Sequence, residues 1–403
     1  MTIDPNRIGE EKDLLGEEGV DIGVPRIAYH NQTAEHMTRL AGLLRKVMTD
    51  QPIRGSDLQW IGPQIDHYTL YIDGTGMPLH MAAADTSLWR RNKQFIEQVE
   101  AGNFMNQANL KYLSNAAAKM IVAKNKDKSL LLPSLCVLTK TQAEILCDDK
   151  NHFTSIGLGL AEIHDDVATA LSKFTGHELD LPRLTHVTEH QARSLAKYGN
   201  GDQDAQLTMG TIFNFDPPIA AAFGKFRGGL LNIGISLISE KSANAFAEAT
   251  RDETLVEMEM IPDFCFPDLK TIDGDSARAL ASIYGRTLTI GLTEISDDVA
   301  KELSAFTGDY LQLDWLPTIT GKQLVHLLTG SYDELHLNNI TEMTDEIAKA
   351  LRESTTNMEV HMKRVRTLTK KQKELLSPIL GLLIFGKGAF GDDEFRPLNF
   401  DGM

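Results

Sequence analysis

The sequence predicts an α/β solenoid of stacked repeats, and three observations carry that prediction. A short helix is written twice, as DDVATALSKFTG at 165–176 and DDVAKELSAFTG at 297–308, with nine of the twelve positions identical. Each copy follows an alternating apolar segment, SIGLGL or TLTIGL, so the repeated unit holds a strand, a turn and a helix. The same template then recurs along the chain at a step of about 24 residues, too short to bury its own apolar face without stacking on its neighbours.

The template is apolar-x-apolar-x-x-apolar-x-x-anchor, followed by a capping residue. Anchors fall at Leu138, Ile163, Val187, Phe215, Ile238, Ile272, Ile295, Ile319, Met343 and Leu368, with a weaker copy at Leu113. Successive spacings are 25, 24, 28, 23, 34, 23, 24, 24 and 25 residues. The strand comes first in each unit. Leu179 and Leu181, Leu311 and Leu313, Leu335 and Leu337, and Val360 and Met362 have the period of two that turns both apolar side chains to one side.

The helix start comes next. The residue after each strong anchor is Thr139, His164, Thr188, Asp216, Ser239, Asp273, Ser296, Thr320, Thr344 or Thr369. All but His164 carry a side-chain oxygen suited to accept from the orphan amides of a first helical turn. Gln142, Gln191, Gln323 and Gln372 stand where a capping box needs them, and Pro217 takes the first helical position after Asp216. Small and large apolar residues, such as Ala168 with Leu171 or Ala300 with Leu303, share the helix face that packs on the strands. Gly176, Gly285, Gly308 and Gly330 are read as C-caps. Gly159, Gly234 and Gly291 replace a two-residue bend in three shorter repeats, which points to positive φ or to close backbone approach.

Stretches such as YLQLDWLPTITGKQLVHL (310–327) and ELHLNNITEMTDEIAKAL (334–351) resemble the leucine-rich-repeat superfamily, in particular its bacterial LRR-like arrays. The resemblance covers roughly residues 105–376 and implies a leucine-rich-repeat-like horseshoe, with parallel strands on one face and helices on the other. It also implies a recognition scaffold that presents strand-face residues to a ligand. The chain departs from the family's common form by placing Leu184, Leu316 and Ile340 where Asn or Cys is usual, which argues against an asparagine ladder.

Residues 1–104 do not fit the template and read as an N-terminal non-repeat segment, either a cap on the first repeat or a separate functional module. Thr33 starts a predicted helix to about Met48, TLYIDGTGMPLHM (69–81) reads as a hairpin around Asp-Gly, and another helix begins near Ser87. The tail, 377–403, is apolar and then acidic, and its first half is expected to seal the last repeat.

Composition narrows the function. A formal charge of −16 argues against nucleic-acid and anionic-membrane partners, both of which need a basic surface. No run approaches the length of a membrane span and no Sec-type signal is visible. The odd number of cysteines, Cys136, Cys147 and Cys265, with no CxxC pair, suits a reducing, cytoplasmic setting. Among motifs, GLLIFGKG (381–388) has P-loop spacing, but Gly388 replaces the hydroxyl that holds magnesium, and the intervening residues are bulky. The HDD run at 164–166 is a helix start whose carboxylates meet the dipole, and His186 and His190 are split by the Thr188 cap. Neither HExxH nor GxSxG occurs.

The strand face therefore carries the functional expectation. Seven residues before the anchor lie Asp180, Thr208, Cys265, Gln312, His336 and His361, of which Gln312, His336 and His361 are expected to form one row. Asp314, Asn338 and Lys363 form the neighbouring row, with Trp315 and Arg364 beside them. A Trp and an Arg on a polar surface are typical protein-interface anchors, so these eight residues are the expected protein-binding site. No cofactor or catalytic residue is assigned, although the paired histidines have the chemistry to bind a metal. The reading is a non-enzymatic scaffold with a protein partner. Its alternatives are an assembly subunit docking through its ends or its N-terminal segment, and an enzyme with its site in 1–104.

Overall fold

A computed structural model describes residues 26–28, 69–72, 75–78, 97–102, 107–111, 113–125, 127–251, 261–354, 357–386 and 389. The predicted helices at 33–48 and from Ser87 through Phe95 lie outside these residues. Two compact units divide the chain, 1–175 with 181–183, and 176–180 with 184–403.

In the first unit, β1 (Arg26–Ala28), β2 (Thr69–Ile72) and β3 (Thr75–Pro78) form an antiparallel sheet in that order. Thr69 pairs with Pro78 and Ile72 with Thr75, which is the hairpin expected on either side of Asp73 and Gly74. The repeats follow. Helix α1 (Asn115–Lys124) starts at Ser114, whose Oγ accepts from Ala117 N at 2.9 Å, so the weak copy anchored at Leu113 has the same capped helix start as the repeats. Strand β4 (Ser129–Leu132), α2 (Lys140–Leu146), β5 (Ser155–Leu158) and α3 (Asp165–Leu171) continue it, with β4 and β5 parallel.

The second unit repeats the pattern. Strand β6 (Glu178–Leu181) precedes α4 (Glu189–Leu195), β7 (Gln206–Thr211), α5 (Pro217–Phe223), β8 (Leu230–Gly234) and α6 (Glu240–Thr250). After them come β9 (Asp263–Phe266), α7 (Gly274–Ala281), β10 (Thr287–Ile290), α8 (Asp297–Leu303), β11 (Tyr310–Gln312) and α9 (Gly321–Leu327). The unit ends with β12 (Glu334–His336), α10 (Asp345–Glu353), β13 (Glu359–Met362), α11 (Lys370–Leu376) and β14 (Leu383–Phe385). In the second unit the strands from β6 to β14 stand in sequence order in one sheet. The fold is an α/β solenoid, as the repeat predicts.

Local chemistry explains the regularity. All nine predicted Ser, Thr and Asp caps accept from the amide three residues on, whereas His164 makes no side-chain cap bond. All four capping boxes close. The box glutamines also reach the preceding anchor: Gln323 Nε2 donates to Ile295 O at 2.8 Å and Gln372 Nε2 to Met343 O at 2.7 Å. Gln142 does the same to Leu113 O. One side chain thus starts its own helix and satisfies the carbonyl of the repeat before it.

The core lies between strands and helices. The inward residues Leu179, Leu181, Leu311, Leu313, Leu335, Leu337, Ala168, Leu171, Ala300 and Leu303 are all fully buried. Each such Leu contributes about 1.5–3 kcal/mol. Phe246 lies within the 34-residue interval between the anchors Ile238 and Ile272, edge-on to Phe264 at 5.2 Å and to Phe266 at 5.5 Å.

Two groups of glycines act by closeness. A Cβ on Gly159 would lie 1.9 Å from Pro133 O, and one on Gly291 1.9 Å from Pro267 O, so the short repeats need glycine where the previous turn's backbone presses in. The four predicted C-cap glycines correct the sequence reading. The helices end earlier, at Ser172, Ser282, Ser304 and Leu328, and Gly308 and Gly330 lie beyond the caps, where a Cβ would meet Gly285 O at 2.2 Å and the Tyr332 ring at 2.2 Å. Close packing before the next strand, rather than a left-handed cap, selects them.

Gln372→Ala is expected to destabilise the chain by about 1–3 kcal/mol, because the buried Met343 carbonyl and the Thr369 amide both lose a partner. Gly291→Ala is expected to cost about 1–3 kcal/mol through overpacking. Gly381→Ala, with no atom within 4 Å of the added carbon, should leave the melting temperature unchanged. Thermal unfolding of the three variants checks both effects.

Candidate functional site

Parallel pairing turns the repeat into columns. Thr208 pairs with Asn232, Asn232 with Cys265, Cys265 with Thr289, Thr289 with Gln312, Gln312 with His336, His336 with His361 and His361 with Ile384. The short repeats therefore contribute Asn232 and Thr289 to the row, which the long-repeat pattern omits. Thr289 Oγ1 donates to Gln312 Oε1 at 3.0 Å. Burial, and secondarily Asp268, push the Cys265 thiol up to about 11, so it stays protonated and is a poor nucleophile.

His336 and His361 stack with ring centroids 4.2 Å apart and planes 20° from parallel. Glu334, two residues before His336 and so on the same strand face, places Oε2 2.7 Å from His336 Nε2 and 3.2 Å from His361 Nε2. Glu359, in register with Glu334, places its carboxylate 3.5 Å from His361 Nε2. His361 is only 7 % exposed, so it lies inside the column rather than on its surface. Burial first, and the neighbouring His336 second, hold its imidazole below the usual histidine range, against the opposing pull of Glu334 and Glu359. Glu334, His336 and His361 bring three metal-ligand atoms within 4.8 Å of one another.

The second row is tied to the backbone. Asp314 Oδ1 accepts from Asn338 N at 2.9 Å, and Asn338 Oδ1 from Lys363 N at 3.2 Å. One position further on, Asn339 Nδ2 donates to Trp315 O at 3.2 Å, and Arg364 donates to Asn339 Oδ1. Asp314 and Asn338 thus form a short polar ladder, two residues before Leu316 and Ile340.

Trp315 is 37 % exposed in the turn after β11, with Lys270 Nζ 5.7 Å from its ring centroid. Lys363 and Arg364 are exposed, and Gln312, Asp314, His336 and Asn338 are half-buried. Sequence reasoning missed Glu334 and Glu359, although the pattern Glu-x-His at 334–336 and again at 359–361 was visible. It also missed Phe213 and Leu237, 64 % and 75 % exposed on the loops after β7 and β8. No signal of alternation marks such loop residues. The motifs set aside in the sequence behave accordingly: residues 383–385 of the P-loop-like run are strand β14, paired in parallel with β13.

No family model matches the chain, and no curated protein matches it. Among solved structures, the crystal structure of the Rad7 and Elc1 complex in yeast aligns with a TM-score of 0.36 and 14 % identity, over 79 % of this chain and 95 % of that chain. At that score the likeness bears on neither fold nor function.

His361 supplies a pH test. Its folded pKa lies below the unfolded value of about 6.5, so the unfolded chain takes up the proton first as pH falls. The associated stability is present above that value and is lost as pH falls through it toward the folded pKa. In chelator-treated buffer, wild type should lose more thermal stability than His361→Met between about pH 7.5 and pH 5. Equal losses would contradict the assignment.

Proposed function

We propose that the chain is a non-enzymatic, protein-binding scaffold that uses the strand face and adjoining turns between residues 310 and 364. Trp315 carries the reading: a large aromatic ring held half out of the surface, with a cation over it and the Asn339 and Arg364 pair fixing its turn. Trp and Arg dominate interface energetics when a partner excludes water from them. The half-buried Gln312, His336 and Asn338 and the exposed Lys363 would form the polar surround, and Asp314 and His361 would hold that surround in register. Phe213 and Leu237 offer further apolar contact on the same sheet edge loops. In this proposal residues 1–104 and 377–403 serve as end caps to a solenoid spanning 105–376, and the setting is cytoplasmic.

A second reading has its own support. Ile384 lies exposed on β14, the last strand of the sheet, and such an edge is a template for assembly. Among the described residues no helix is long and apolar enough to cross a membrane.

Affinity capture with the full chain tests the first reading. Partners retained by wild type should fall by at least about 10-fold with Trp315→Ala plus Arg364→Ala. An unchanged set of partners at unchanged yield would sink it. If Ile384→Lys instead converts a larger species to a single copy in mass photometry, the assembly reading stands in its place.

A further inference from the structure

We infer that Glu334, His336 and His361 form a binding site for a divalent cation of the zinc class, held between β12 and β13, with Glu359 at its edge. The inference is independent of whether the strand face binds a protein. It begins with the sequence: Glu334-Leu335-His336 and Glu359-Val360-His361 repeat one pattern, and the register sets Glu334 beside Glu359 and His336 beside His361. Residues two apart on a strand share a face, so two carboxylates and two imidazoles fill one small square.

Without a cation that square is poorly satisfied. Two carboxylates directly opposite on neighbouring strands repel. His361 is 7 % exposed, and neither of its ring nitrogens has a directed hydrogen-bond partner among the described residues. Its Nε2 lies 3.2 Å from Glu334 Oε2 and 3.5 Å from Glu359 Oε2, but neither contact is aligned as a hydrogen bond. The Nε2–H tautomer of His336 donates to Glu334 across 2.7 Å and still leaves His361 unpartnered. A dication answers each fault together: it accepts lone pairs from two neutral imidazoles and cancels two carboxylate charges.

The spacing fits. With metal bonds of about 2.0–2.1 Å, neighbouring donors of a tetrahedral zinc site stand about 3.3 Å apart. Glu334 Oε2 lies 2.7 Å from His336 Nε2 and 3.2 Å from His361 Nε2, and closing on a cation requires Glu334 to draw back slightly and the two stacked imidazoles to turn out of parallel so that both nitrogens face the ion. Imidazole nitrogen favours zinc-class ions over Ca2+ and Mg2+, which prefer all-oxygen shells. A second cluster, His177 with Asp202 and Asp204, offers one imidazole on an exposed surface and serves as the internal comparison.

The full chain, stripped with a chelator, is titrated with Zn2+ alone by calorimetry. The site predicts one Zn2+ per chain with an affinity that falls at least about 100-fold in Glu334→Gln and in His336→Gln, since loss of a ligand exceeds the usual effect of its supports. His177→Gln should change it less than about 2-fold, and Mg2+ and Ca2+ should bind at least about 100-fold more weakly. His336 and Glu334 are less buried than His361, and circular dichroism verifies that His336→Gln and Glu334→Gln fold. Co2+ in place of Zn2+ should give the intense visible bands of a tetrahedral site in wild type and lose them in both variants. The inference is overturned if Zn2+ does not saturate near one equivalent, if both folded variants bind it as wild type does, or if Mg2+ competes at equal concentration.

Discussion

The residue after each anchor is the constraint on which the rest of the structure depends. Among the described residues, a Ser, Thr or Asp there closes the first turn of every helix but one from Thr139 to Thr369. Where a box glutamine follows, its amide also reaches back to the carbonyl of the preceding anchor, as from Gln323 to Ile295 and from Gln372 to Met343. The helix therefore begins at a fixed distance from its own strand and at a fixed height above the previous repeat. Asn214 makes a related bridge, pairing with both the amide and the carbonyl of the anchor Val187. A constant step between repeats follows from these few polar contacts, and hydrophobic burial then supplies the stability.

A constant step makes columns on the strand face. Equivalent residues meet their counterparts one strand away, so a difference between repeats is never isolated: it is read beside its neighbours. Thr289 bonds Gln312, His336 stacks on His361, and Asp314 and Asn338 hold the backbone of the next repeat. The same geometry that ties down Asp314 and Asn338 leaves Trp315 projecting from its turn, and it gathers two Glu-x-His strands into one polar square. The proposed recognition surface and the proposed ion site would both follow from register, the first from positions where the repeats differ and the second from a pattern that two adjacent repeats share.

Much of this was legible in the sequence because it is local. Anchors, caps and capping boxes depend on residues within three or four positions of one another, and the hairpin of β2 and β3 on a two-residue turn. What was not legible depends on the neighbouring repeat. Gly308 and Gly330 look like helix stops, yet they are selected by the backbone and rings packed against them. Asn338 looks like an outward residue, yet it bonds to the amide of Lys363. His361 looks exposed by its strand position, but the columns on either side bury it. The significance of Glu334 and Glu359 likewise appears only when their strands lie side by side.

The central claim is that cap-fixed register builds the columns, and disulfide mapping tests it directly. Cys265 is a natural reporter, since it pairs in register with Thr289 on one side and with Asn232 on the other. Adjacent parallel strands are about 4.8 Å apart, within the reach of a disulfide. On oxidation at alkaline pH, where more of the Cys265 thiol ionises, followed by peptide mass spectrometry, Thr289→Cys and Asn232→Cys should each give a crosslink to Cys265, whereas Thr287→Cys, two residues out of register, should not. Crosslinking of Cys265 through Thr287→Cys in preference to Thr289→Cys would contradict the register.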